Sequence, residues 1–174
     1  MIFGHLPAGY ITSKLLLRKC YNDSINPGAF MFWGLFGAIA PDIDLLYYLL
    51  IDPFEPRNHH HTYVTHLPIF WLTLLLISVF WLLLQRNRGK NQATFFIFVL
   101  NGFIHIVLDT LTGHVFWIAP SVDNAIFWIA DTSAETNYFT HWTFALELLL
   151  ILWALTEWYK SAIKKRAERN NPIT

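Results

Sequence analysis

From Leu67 to Leu84 the chain runs for 18 residues without a charge. A run of that kind leaves few folds open, because about 20 apolar residues in helical form cross the hydrocarbon core of a bilayer. Backbone groups in lipid must be satisfied within the segment, so the expected element is a helix. Three other apolar segments have comparable length. Ala29–Ile51 is interrupted by Pro41-Asp42-Ile43-Asp44, Ala93–Leu111 is apolar except for Asn101, His105 and Asp109, and His141–Tyr159 carries Glu147 and Glu157. A weaker fifth segment, Met1–Leu17, is expected to be broken by Pro7 and Gly9. Composition agrees: 14% of residues are charged, against about 25% in soluble domains. The predicted fold is all-α, a polytopic membrane bundle of four full transmembrane helices plus a short N-terminal helical segment. Residues 1–159 form a single membrane-embedded domain, and residues 160–174 form a basic cytoplasmic tail.

The basic residues orient this bundle. Lys14, Arg18 and Lys19 precede the second segment, Arg86, Arg88 and Lys90 lie between the third and fourth, and Lys160, Lys164, Lys165, Arg166 and Arg169 follow the fifth. Between Asn91 and Tyr159 there is no Lys or Arg. The positive-inside rule puts the three basic groups in the cytoplasm and the loops 52–66 and 111–140 outside. Trp117 and Trp128 suit an interfacial position in the second of these loops. Lys14, Arg18 and Lys19 come after the first apolar residues, so the opening segment is not expected to be a cleaved signal. The formal net charge of zero gives no electrostatic basis for nucleic-acid binding. A lone cysteine, Cys20, leaves any metal to be held by histidine and carboxylate.

With the chain oriented, its ionisable residues gather near the non-cytoplasmic face. His61 and His66 open the third segment, with Thr65 expected as its N-cap and Pro68 in its first turn. His105 and Asp109 are four residues apart and share one helix face, and Asn101 continues the same stripe. Asp42 and Asp44 would point apart in an unbroken helix, whereas a break at Pro41 aims both at one site. His5 lies about 20 Å along a helix from Arg18, far enough to reach the same level. A carboxylate near the bilayer centre costs about 2.5–3.5 kcal/mol or more, so Asp42, Asp44 and Asp109 call for partners. The candidate metal ligands are His5, Asp42, Asp44, His61, His66, His105 and Asp109, with Asp44 and His61 as candidate catalytic groups. Such a donor set suits zinc first, with manganese or iron as alternatives, and could serve one or two divalent ions. Bland alternatives stand beside each assignment. His105 could be a core histidine bonded to a carbonyl, Asp42 and Asp44 could cap a resuming helix, and Glu147 could bond another span. His59, His60 and His114 read as loop or interfacial residues, and His141 as a possible further ligand.

The order of these residues resembles a family. His5-Leu6-Pro7-Ala8-Gly9-Tyr10, Pro41-Asp42-Ile43-Asp44, His61 through Thr65-His66, and His105-x-x-x-Asp109-x-x-Thr112-Gly113 are similar to the YdjM-type family of inner-membrane, metal-dependent hydrolases, also described as LexA-binding. The third block of that family reads His-Arg-Gly-x-Thr-His-Ser, and here the two histidines and Thr65 match. The resemblance covers roughly residues 1 to 120. It implies a multi-pass protein of the bacterial inner membrane and a hydrolytic metal centre.

The predicted function is metal-dependent hydrolysis of an ester or phosphoester bond in a lipid or amphipathic substrate, through a metal-activated water. Membrane lipids are the expected surroundings, and the basic C-terminal tail is a candidate contact for a cytosolic protein. Two rival readings remain at this point: an ion- or proton-coupled transporter, since intramembrane His and Asp serve such pathways, and a metal-binding regulatory membrane protein without hydrolase activity.

Overall fold

The computed structural model describes residues 1, 3–20, 25–50, 63–84, 90–113, 115–117, 139 and 141–170. The described residues hold six α-helices and no strand: α1 (His5–Cys20), α2 (Pro27–Ile39), α3 (Ile43–Leu50), α4 (Pro68–Leu84), α5 (Lys90–Thr110) and α6 (Trp142–Asn170). A short 3₁₀ turn, Val64–His66, precedes α4. Helix α5 is the centre of the bundle, packing on α2, α4 and α1, while α6 packs on α1.

The bundle buries polar groups and exposes apolar ones. His66, His105, Asn101 and Glu147 are among its most deeply buried side chains, whereas Leu76, Phe80, Leu83, Leu149 and Leu152 are exposed. That inversion suits lipid surroundings, where Leu gains nothing by being inside and an unpaired polar group is costly. By length and composition, α5 from Asn91 to Thr110 can cross a membrane alone, and α2 with α3 can do so as one segment bent by 44°. Helix α4 is apolar but 17 residues long. Among the described residues one or two spans pass this test, and the four full spans expected are not reached by length and composition alone.

Local chemistry explains the boundaries. Asn26 caps α2 by accepting from the Ala29 amide at 3.0 Å, and Pro27 takes the first helical position, where no donor is lost. At Pro41 the bonding tightens to i+3 spacing, with Asp42 N donating to Ile39 O and Leu45 N to Asp42 O. This short 3₁₀-like stretch is the bend between α2 and α3. Pro7 does not break α1, contrary to expectation, because it falls in the first turn. Gly9 does not break α1 either. A Cβ there would lie 2.5 Å from the Ala38 Cβ, so the glycine lets α1 sit close on α2. A Cβ on Gly37 would lie 2.1 Å from the Phe98 carbonyl oxygen, so α2 meets α5 backbone to side-chainless backbone.

Below the bend, Asn101 ties three helices together. Its amide nitrogen donates to Gly34 O at 2.8 Å, Ser13 Oγ at 2.9 Å and Gly9 O at 3.3 Å. Helix α6 continues through the expected polar tail to Asn170, and the Arg18 guanidinium meets Glu157 at 2.6 Å to join α1 to α6. Trp117 packs half-buried on Phe103 and donates to Thr110 Oγ1 at 3.1 Å. Arg86, Arg88 and Trp128 lie outside the described residues.

Candidate metal centre

Four parts of the chain meet at one end of the bundle. Helix α5 presents His105 and Asp109 one turn apart, α1 begins with His5, the bend at Pro41 carries Asp42, and the 3₁₀ turn carries His66. Asp109 is the hub. Its Oδ1 lies 3.1 Å from His5 Nε2, and its Oδ2 lies 3.0 Å from His105 Nε2 and 3.6 Å from His66 Nε2. Asp42 Oδ1 faces the same two nitrogens, 3.5 Å from His105 Nε2 and 3.7 Å from His66 Nε2.

Hydrogen bonding behind the imidazoles sets which nitrogen faces inward. His105 Nδ1 lies 2.7 Å from the Ala38 carbonyl oxygen. A carbonyl only accepts, so Nδ1 carries the proton, and the neutral ring offers a bare Nε2 lone pair to the centre. His66 Nδ1 lies 2.5 Å from Asp44 Oδ2, which also accepts from Thr65 Oγ1, so its Nε2 points inward by the same logic. Backing of an imidazole by a carbonyl or a carboxylate is the usual support of a metal-binding histidine. His105 Nε2 and His5 Nδ1 are buried and have no hydrogen-bond partner among the described residues.

These groups fit a cation better than they fit each other. His105 Nε2 lies 3.0 Å from Asp109 Oδ2 and 3.5 Å from Asp42 Oδ1, contacts that either a proton or a cation at that nitrogen would satisfy. The rings of His5 and His105 stack at 3.6 Å and 11°, an arrangement that two charged imidazoles would resist. Around His66, burial opposes the charged ring, but the bonds to Asp109 and Asp44 and their charges prevail and hold its pKa above the ordinary histidine value. The site favours positive charge. Two overlapping sets have donors close enough to share an ion, His66–His105–Asp109 and His5–Asp42–His105. Both need His105, whose second nitrogen is committed to Ala38 O. One imidazole nitrogen cannot serve two ions, so the geometry favours a single ion drawing on both sets.

Access is one-sided. The Asp42 side chain is 40% exposed, while His5, His66, His105 and Asp109 are at most 6% exposed. Water or a ligand reaches the centre past Asp42.

The break at Pro41 does aim both acids at one place, but at opposite nitrogens of one ring: Asp42 faces His66 Nε2, and Asp44 sits behind Nδ1. His61, with His59, His60 and His114, lies outside the described residues. His141 Nδ1 lies 2.9 Å from Thr143 Oγ1 and accepts from the Thr143 amide, at the start of α6. Glu147 accepts from the Phe3 amide at 2.7 Å. Thr65 is not the cap of α4, which starts behind Leu67. Its hydroxyl is spent on Asp44 instead. Three contacts went unread in the sequence. The Ala38 carbonyl has no sequence signal. The Met1 amine donates to Asp109 Oδ1 and to the hydroxyl oxygen of Thr112, a residue of the quoted motif, both at 2.8 Å.

A family model described as YdjM inner membrane protein matches residues 1–163, a stretch that takes in every residue of this centre. No curated protein and no solved structure matches the chain.

Proposed function

The chain belongs to the YdjM inner membrane protein family, and from that premise we propose a membrane-embedded, metal-dependent hydrolase acting on an ester or phosphoester bond of a lipid or amphipathic substrate. The observation that carries this reading is the His105 Nε2 lone pair, fixed inward by the Ala38 carbonyl and facing Asp109, Asp42 and His66. Structural polar clusters pair every buried polar atom, whereas here the Met1 amine serves Asp109 Oδ1 and His105 Nε2 has no hydrogen-bond partner among the described residues.

His66, His105 and Asp109 would hold the ion, with His5 completing the set and Asp42 beside it. The nitrogen and oxygen donors suit zinc first, then manganese or iron. When bound, the ion supplies Lewis-acid activation of water and of a phosphoryl or acyl oxygen. The chain's own residues do the rest. Asp44 and Ala38 O orient the two imidazoles. Asp42, the exposed acid, would take the proton from water entering on its side, a general-base role for which the sequence offers Asp44 and His61 as candidate catalytic groups. Asp44 then acts as the positioning residue for His66. Exposed apolar side chains around the bundle favour a substrate that arrives through lipid.

In the membrane we read α2 with α3, α4, α5 and α6 as four spans and α1 as the shorter N-terminal segment. The Lys14–Lys19 region and the C-terminus are cytoplasmic, and the centre lies near the opposite face.

The test is elemental analysis of detergent-purified protein beside a His105→Ala/Asp109→Ala variant, followed by an ester and phosphodiester hydrolysis screen. About one ion per chain that vanishes in the variant, with turnover that vanishes alongside it, is the expected result. Absence of metal after reconstitution sinks the reading. Bound metal without turnover of any ester leaves a transporter or a non-catalytic regulator.

A further inference from the structure

At the end of the bundle away from the His–Asp centre, α1 and the extension of α6 enclose a cavity of about 730 Å³. Five cations line it: Lys14 and Arg18 from α1, and Lys160, Lys164 and Lys165 from α6. Lys14 and Arg18 are one turn apart, as are Lys160 and Lys164, so each helix turns one basic face to the same space. Two carboxylates offset part of this charge. Glu157 meets Arg18 at 2.6 Å and Lys160 at 3.2 Å, and Glu168 in the lining lies 3.8 Å from Lys164. Three positive charges remain uncompensated among these residues.

The cavity also has an apolar side, formed by Leu17 and Pro27. Immediately before Lys160, Trp158 and Tyr159 are 60% and 62% exposed. Exposed Trp and Tyr at the end of an apolar helix mark the level of lipid headgroups. A pocket at that level, with cations converging from two helices above an apolar wall, matches an anionic amphiphile better than a free anion, which has no use for the wall.

We infer that this cavity binds the phosphate headgroup of an anionic phospholipid, of the phosphatidylglycerol or cardiolipin kind, between α1 and the α6 extension. The phosphate accepts from the Lys and Arg donors, and the glycerol and upper acyl carbons lie against Leu17 and Pro27. This inference does not rest on the hydrolase reading, since it concerns the other end of the molecule.

The experiment is native mass spectrometry of the full chain in neutral detergent, titrated with cardiolipin, phosphatidylglycerol or phosphatidylethanolamine. Saturable retention of one anionic lipid in preference to phosphatidylethanolamine is expected. A Lys164→Gln/Lys165→Gln variant should bind about thirtyfold more weakly, the scale for losing two lysines beside an anionic headgroup. An Arg166→Gln/Arg169→Gln variant loses the same charge from the same helix but outside the lining, and its affinity should stay within about threefold. Equal loss in both variants would reduce the effect to surface charge and overturn the site. Unchanged binding in the Lys164/Lys165 variant, no preference over phosphatidylethanolamine, or displacement by inorganic phosphate at millimolar level would each overturn it as well. Circular dichroism melts of both variants establish that they are folded.

Discussion

Helix α5 carries two buried polar clusters one turn apart, and they are built on opposite principles. Around Asn101, an amide donor faces three acceptors on α1 and α2, and only the Asn101 Oδ1 lacks a partner among the described residues. Around His105, the imidazole proton points away to Ala38 O, and what faces the centre is a ring of lone pairs. The first cluster spends its donor hydrogens on the neighbouring helices and holds them together, as interhelical polar contacts do in lipid. In the second, His105 Nε2 is satisfied by a proton or a cation. The lesson is that burial of a polar group in such a bundle does not itself indicate chemistry, whereas the direction of its hydrogens does.

The sharpest way to break this contrast is to empty the second cluster. In His105→Ala/Asp109→Ala, bound metal should fall from about one per chain to background by elemental analysis, with far-UV circular dichroism unchanged. Retained metal would put the ion elsewhere. Next in size is Asp44→Asn, which leaves the inward donors alone but weakens the support of His66. Metal affinity should drop about 10–100-fold in a competitive chelator titration, and an unchanged affinity would remove Asp44 from the centre. Gly37→Ala tests whether the two clusters are separable. Its Cβ collides with the Phe98 carbonyl oxygen and pushes α2 off α5, at a cost of about 1–3 kcal/mol in a reversible unfolding measurement. Metal affinity should fall with it, because Ala38 O moves too. Smallest is Asn101→Ala, expected to lose about 1–2 kcal/mol of stability through its interhelical bonds while metal content stays the same. A loss of metal there would join the two clusters into one.

Much of this site was legible because its chemistry is written in spacing. His105 and Asp109 are four apart inside an apolar run, and only a helix uses that spacing to put both on one face. The Pro41 break was legible because proline lacks a donor, and the acids beside it mark a place where backbone geometry is special. What stayed hidden depends on tertiary packing. Pro7 and Gly9 look like breakers, yet Pro7 sits in a first turn and Gly9 is the contact point of α1 with α2. Thr65 reads as a cap by composition, and only the arrival of Asp44 from a distant segment diverts its hydroxyl. The Ala38 carbonyl, which fixes the tautomer of His105, belongs to a residue whose side chain carries no signal at all. The number of spans is less legible for a related reason. Apolar content is visible in sequence, but how far a helix runs before it bends is decided by its neighbours, and the 44° turn between α2 and α3 merges two short helices into one segment.

The donors of the centre come from residues 5, 42, 66, 105 and 109, so the first and last of them are separated by most of the spanning portion of the chain. During synthesis, His5 and Asp42 emerge long before Asp109 exists to meet them. The early helices must therefore wait in the bilayer with an incomplete cluster until α5 threads between α1, α2 and α4. The cluster closes only when α5 arrives, so the residue that joins its histidines, Asp109, is also the last of them to be made.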